Sequence, residues 1–411
     1  MIHFDKFTLD NGLKVLVHQD KSTPIVTLNI LYNVGAKDED PDLTGFAHLF
    51  EHLMFGGSKH IPKYDEPLQK VGGQNNAFTN NDITNYFLSI PKENIETAFW
   101  IESDRMLDLA FSEKSLDVQR NVVIEEYKQR YLNQPYGDLW LLMRPMVYKV
   151  HPYQWATIGK DISHIENARM EDVKAFYKKF YNPDNAIMVV AGDVETEAVR
   201  RLAEKWFGPI PAGAPVERNI PVEPKQTEAR FLQVERDVPL NAVFKVYHMC
   251  GRQDADYQAT DLISDLLANG KSSRLYRSLV KEKGLFTNVQ SFVTGDIHPG
   301  MLSVFGYLAD GVSPEAGDAA IVEELEKLKT EALSEEELQK VKNRVESILV
   351  YSDINVLDRA MNLAYYELLG DAGGLNKELE KYLRVKPADI QRVANDVLLE
   401  TNASTLYYLK K

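Results

Sequence analysis

The chain has 411 residues, 44% hydrophobic and 26% charged, as in ordinary globular proteins, and its length suits two domains rather than one core. A formal net charge of −14 excludes the basic surface that nucleic acids require, and a single cysteine, Cys250, excludes both a disulfide framework and an all-cysteine metal site. No apolar run is long enough to span a bilayer, so no membrane partner is expected.

The N-terminus, Met1 to Lys6, moves directly into strand-like sequence with no apolar leader segment. A cytoplasmic location is the expectation, or a periplasmic one if a signal peptide has been removed. Phe7-Thr8-Leu9 and Leu13 to Val17 flank Asp10-Asn11-Gly12, whose Asn-Gly pair supplies the positive φ angles of a tight hairpin. Ile25 to Val34 is rich in β-branched residues and reads as a third strand. A polar loop follows and ends at Thr44, a plausible N-cap.

Gly45 to Phe55 (GFAHLFEHLMF) then spans roughly three helical turns before a Gly56-Gly57 stop. His48 and His52 are four apart and leave the same helical face, with Glu51 on its edge. A histidine among Phe46, Leu49, Phe50 and Leu53 is often only a hydrogen-bonded core residue. Two imidazoles at this spacing, however, form a natural pair of Zn²⁺ ligands, and a carboxylate beside them can take a proton from water. The order H-x-x-E-H inverts the commoner H-E-x-x-H zinc helix.

Past a short helix at Tyr64 to Val71, Gln74 to Asn80 and Asp82 to Ile90 read as an antiparallel pair with a polar turn. A helix from near Lys92 to Leu109 comes next, then a long amphipathic one over about Ser115 to Leu132. The latter carries Glu125-Glu126, and Gln119 sits two turns before Glu126 on the same face. A tetrahedral catalytic zinc site needs a third protein ligand, and spacing alone leaves Glu125 and Glu126 equivalent. Glu171 to Phe180 reads as a helix, Ala186 to Gly192 as a buried strand and Val194 to Trp206 as a helix. Phe207 to Gln226 carries five prolines and reads as a linker.

The second half repeats the first. Glu171-Asp172-Val173 aligns with Ala388-Asp389-Ile390, and Asn185-Ala186 with Asn402-Ala403, at one constant offset. In a neighbouring register His48, Glu51 and His52 fall opposite Ser264, Leu267 and Ala268, so the second copy lacks the metal chemistry. The expected fold is α+β: two similar domains, each a mainly antiparallel sheet packed against helices, at 1–207 and 227–411 with 208–226 between them.

The His48–His52 motif, Asn75 to Tyr86 (NNAFTNNDITNY), Asn121 to Tyr127 (NVVIEEY), Phe176 to Val194 and the Gly270 to Leu275 stretch (GKSSRL) together resemble the pitrilysin-type (M16, inverzincin) zinc peptidases. The likeness is to the half-length bacterial and processing-peptidase-like members, spans essentially the whole chain, and implies the LuxS/metalloenzyme-like fold of that family. It implies a zinc metalloendopeptidase acting on unfolded peptides. One Zn²⁺ per chain would be held by His48, His52 and Glu126, with Glu51 as general base. Asn76, Ala77, Phe78 and Thr79 would form the edge strand on which an extended peptide pairs. Gln119 stands where many relatives carry a carboxylate supporting the zinc ligands. Val280 and Thr287 stand where active relatives carry an Arg and a Tyr that bind substrate. The resemblance therefore suggests a heterodimer whose homologous partner supplies that Arg/Tyr pair, with a homodimer as the alternative pairing. The competing function is a non-catalytic peptide-binding or assembly subunit.

Overall fold

A computed structural model describes residues Met1–Lys411. The first half of the chain contains strands β1 (Asp5–Thr8), β2 (Lys14–Gln19), β3 (Ile25–Tyr32), β4 (Gln74–Thr79), β5 (Thr84–Pro91) and β6 (Ala186–Gly192). Its helices are α1 (Phe46–Leu53), α2 (Asp65–Lys70), α3 (Ile95–Leu107), α4 (Glu113–Tyr127), α5 (Leu139–Val147), α6 (Ile162–Glu166), α7 (Met170–Phe180) and α8 (Thr196–Trp206). The second half adds β7 (Arg230–Arg236), β8 (Ala242–His248), β9 (Phe286–Val293), β10 (Met301–Leu308) and β11 (Ala403–Lys410). Its helices are α9 (Tyr257–Ala268), α10 (Pro314–Thr330), α11 (Glu335–Ser352), α12 (Val356–Leu368), α13 (Glu378–Arg384) and α14 (Pro387–Val397).

The internal repeat is explicit in the sheets. One has the order β1-β2-β6-β3-β5-β4, the other β7-β11-β8-β10-β9. In each, one pair near the edge is parallel (β2 with β6, β7 with β11) and the following pairs are antiparallel. The first sheet has one strand more, β1, paired to β2 through the hairpin in which Gly12 has φ +89°. β4 is the edge at the far side, as the family resemblance implies.

Two compact units result, and they are not the contiguous halves expected at 1–207 and 227–411. One comprises Met1–Lys128, Trp155–Pro221 and Val350–Lys377; the other comprises Gln129–Gln154, Val222–Leu349 and Glu378–Lys411. The reason lies in the period-2 alternation of the strands, which leaves each sheet with two apolar faces. In the first unit, Leu16, Leu31, Ile187, Val189 and Ala191 point to one face, and Ala360, Leu363 and Ala364 of α12 cover it. In the second, Ala242, Phe244, Val246, Leu406 and Tyr408 are covered by Met143 and Val147 of α5. Each half of the sequence therefore donates one helix to the unit built mainly by the other. The proline-rich stretch does lack regular structure, with no helix or strand over 211–229.

The opposite face of the first sheet carries α1. Phe50 packs against Tyr181 with ring centroids 4.5 Å apart, and Tyr181 in turn against Tyr32 of β3 at 4.6 Å. This aromatic cluster anchors the buried side of α1, so the side bearing His48 and His52 turns the other way.

Candidate metal centre

The local sequence makes α1 short and rigidly placed. Gly45 precedes it with φ +88°, where a Cβ would lie 2.7 Å from the Ile158 carbonyl oxygen, so glycine is required there. The helix N-terminus is capped by a residue outside the local window. Glu39 accepts hydrogen bonds from the amides of Gly45 (3.0 Å) and Ala47 (2.8 Å), and burial pushes its carboxyl up to about 8. Thr44, the cap expected from sequence, instead bonds through its hydroxyl with Nδ1 of His164 (2.9 Å) and accepts from the Lys160 amide (3.0 Å). Glu39, five residues before Thr44, reaches the helix end in its place.

On the side of α1 turned away from that aromatic cluster, His48 and His52 stand with ring centroids 4.8 Å apart and planes at 89°. Glu126 of α4 meets them: its Oε2 lies 3.6 Å from Nε2 of His48 and 3.4 Å from Nε2 of His52. All three side chains are largely buried, with 14%, 26% and 18% of their area exposed. One ligand atom from each falls within 4.8 Å of the others, and no other group of three His, Cys, Asp or Glu side chains does so. Donors about 2.0–2.1 Å from a tetrahedral Zn²⁺ lie about 3.3–3.4 Å from one another. The two carboxylate–imidazole separations, 3.4 and 3.6 Å, lie near that edge and exceed the usual N–H···O mode of about 2.9–3.0 Å. Two imidazoles and one carboxylate are also the donor types Zn²⁺ takes, so the residues fit the ion.

The geometry also distinguishes the two acids of α4. Glu125 is exposed and its Oε1 accepts from Lys128 Nζ at 2.8 Å. Leu116 and Val123 are the buried residues of this helix, with Gln119 and Glu126 half-buried at the same spacing on the same stripe. That stripe is the sequence feature that separates Glu126 from Glu125. Ser112 caps α4, its hydroxyl oxygen accepting from the Ser115 amide.

Glu51 accepts a hydrogen bond at Oε2 from the Thr79 hydroxyl at 2.6 Å. Asn76, Ala77, Phe78 and Thr79 all lie on β4, an outer strand of its sheet, paired only to β5 with Ala77 opposite Tyr86. The Ala77 amide donates to the Asn76 side-chain oxygen (2.9 Å) and Phe78 is exposed. In the second unit Ser264, Leu267 and Ala268 are buried on α9, and none is a metal ligand. Val280 packs against the core of that unit, while the Thr287 hydroxyl donates to the Tyr307 carbonyl at 3.1 Å.

Residues 14–139 match the family model described as insulinase (peptidase family M16), and residues 167–345 the one described as peptidase M16 inactive domain. Zinc protease PqqE of Helicobacter pylori is 33% identical over 98% of this chain and 92% of its own length. The chain belongs to the M16 peptidase family. Among solved structures, a protease from Helicobacter pylori matches this M16 chain with a TM-score of 0.93 at 32% identity, covering 99% of the chain and 100% of that protein. Pitrilysin matches with a TM-score of 0.80 at 18% identity over 99% of the chain and 45% of its own length, a likeness of fold. The M16 fold of two similar units thus agrees with the expectation drawn from the repeat. No helix of the M16 chain is long and apolar enough to cross a membrane.

Proposed function

We propose that the chain is a zinc-dependent metallopeptidase that hydrolyses unfolded peptides or oligopeptides. In this reading His48, His52 and Glu126 hold one Zn²⁺, and Glu51 is the general base. The convergence of Glu126 from α4 on the two imidazoles of α1 carries it. When bound, Zn²⁺ supplies a Lewis acid that acidifies water and polarises the scissile carbonyl. Glu51, one residue before His52 on the same helix, takes the proton of the attacking water and returns one to the leaving amine. An extended peptide adds to the sheet beside β4, its backbone pairing with Asn76 to Thr79. Such pairing selects unfolded segments, since a folded substrate has no free strand to offer.

The chain would act as the catalytic subunit of a heterodimer enclosing a chamber. Val280 and Thr287 offer no guanidinium or phenol, and a second copy of this chain would bring the same two residues. A homologous subunit carrying Arg and Tyr at those places completes the substrate contacts. The competing reading, a non-catalytic subunit, draws on Val280, Thr287 and Gln119.

The deciding experiment is metal analysis combined with cleavage of a quenched fluorescent peptide, with and without chelator and homologous subunit. The expected result is one zinc per chain and chelator-sensitive cleavage that rises with the partner. Bound zinc with no cleavage in any combination would support the non-catalytic reading.

A further inference from the structure

Thr79 occupies the last position of β4, and its hydroxyl joins that edge strand to α1 through the 2.6 Å bond to Glu51. The count of protons gives the bond its direction. Thr84, opposite Thr79 in the ladder and fully buried, donates its own hydroxyl proton to the Val34 carbonyl at 2.9 Å. Thr84 can therefore only accept from Thr79. The single Thr79 proton has two acceptors in reach, Glu51 Oε2 at 2.6 Å and Thr84 Oγ1 at 3.4 Å. The first distance lies in the charge-assisted O–H···O⁻ range of about 2.5–2.7 Å, and the second lies beyond the ordinary hydroxyl range. Thr79 donates to Glu51.

We infer that Thr79 is a positioning residue for the Glu51 base, fixing its carboxylate plane from the strand beside which peptide would pair. The inference rests on the proposed role of Glu51. Glu51 is half-buried on α1, and the hydrogen bond from the half-buried Thr79 hydroxyl restricts the rotation of its carboxylate. Thr79 pairs with Thr84 in the β4–β5 ladder, so the backbone that carries the donor is itself held. Strand pairing and base orientation then depend on one segment of six residues, Gln74–Thr79. A peptide that stiffens β4 would hold the base at the same moment as it delivers the scissile bond.

The test compares Thr79→Val, which keeps the shape and removes the donor, with Thr79→Ser, which restores it. For Thr79→Val, kcat on the quenched peptide should fall about 100-fold with KM nearly unchanged, the pattern of a lost transition-state interaction. Zinc affinity, measured by competition with a chromogenic chelator, should not move. A crystal structure of metal-free Thr79→Val should show the Glu51 side chain rotated away from its wild-type position. Thr79→Ser should recover most of the turnover and the wild-type rotamer. An unchanged kcat in Thr79→Val, a rise in KM alone, or equal losses in both variants would overturn the inference while leaving the peptidase reading intact. A wild-type chain that cleaves nothing with zinc and partner present would overturn the role of Glu51 itself.

Discussion

Oε2 of Glu126 stands 3.4 Å from Nε2 of His52, while the adjacent Glu125 turns outward to Lys128. Because one acid faces the imidazoles and the other faces water, their removal should differ sharply. Glu126→Ala should weaken zinc binding by more than about 100-fold, above what losing a supporting outer residue costs. Glu125→Ala should leave it within a few-fold. Chelator competition measures both, and similar affinities for the two variants would contradict the assignment.

Glu51→Gln keeps the size of the side chain and removes its ability to take a proton. Zinc content should stay at the wild-type level while kcat falls by about 10²–10⁴-fold. His52→Ala, by contrast, should lose metal and turnover together. Inductively coupled plasma analysis alongside the peptide assay separates these outcomes.

Glu39 makes the stability of α1 depend on pH. Its carboxyl is raised from 4.5 to about 8, mainly by burial, with the Ala47 and Gly45 amides opposing that shift. A raised carboxyl pKa means that folding favours the protonated form. Its contribution is complete below the unfolded value and declines as pH climbs through the folded one, by at most about 1.4 kcal/mol per pH unit. Urea unfolding between pH 5 and 8 should show wild type losing stability relative to Glu39→Gln. A flat difference across that range would remove the effect.

Arg105 and Glu102 form a pair on α3, each with 1% of its side chain exposed and Nη2 to Oε2 at 2.6 Å. The guanidinium lies over Tyr86 at 4.4 Å and Tyr64 at 4.7 Å, and the Tyr64 hydroxyl donates to Glu102 at 2.5 Å. Arg105→Met would strand a buried carboxylate and should cost about 3–5 kcal/mol in chemical denaturation. Adding Glu102→Leu should recover much of that loss, since the pair offsets its own desolvation rather than adding a large net gain. If the double variant is as unstable as the single one, the packing of Arg105 between the rings matters more than its charge.

The sequence carries much of this arrangement because the strongest patterns are local. The Asn-Gly hairpin, the β-branched run of β3, the apolar strand β6 and the His48–His52 spacing all depend on neighbours within a few residues. The repeat was equally legible, since Ala186 and Ala403 begin equivalent strands, β6 and β11. What local pattern does not encode is which distant group meets a given surface. Thr44 has the chemistry of a cap, yet Glu39 fills that role once the loop closes. Helical phase puts Glu126, not Glu125, on the half-buried stripe of α4, but nothing in that stripe says it will meet the imidazoles of α1. The placement of α5 and α12 follows from which sheet face each can cover, a question no window of sequence poses.

The crossed placement of those two helices has a consequence for any attempt to divide the molecule. A fragment ending in the proline-rich stretch would leave Leu16, Leu31, Ile187 and Val189 facing water, since Ala360, Leu363 and Ala364 lie beyond the cut. Its complement would likewise expose Phe244 and Leu406 without Met143 and Val147. Neither piece is a self-sufficient module, and only co-expression of both should yield soluble material. The strands repeat, but the two halves of the sequence depend on each other for their folding.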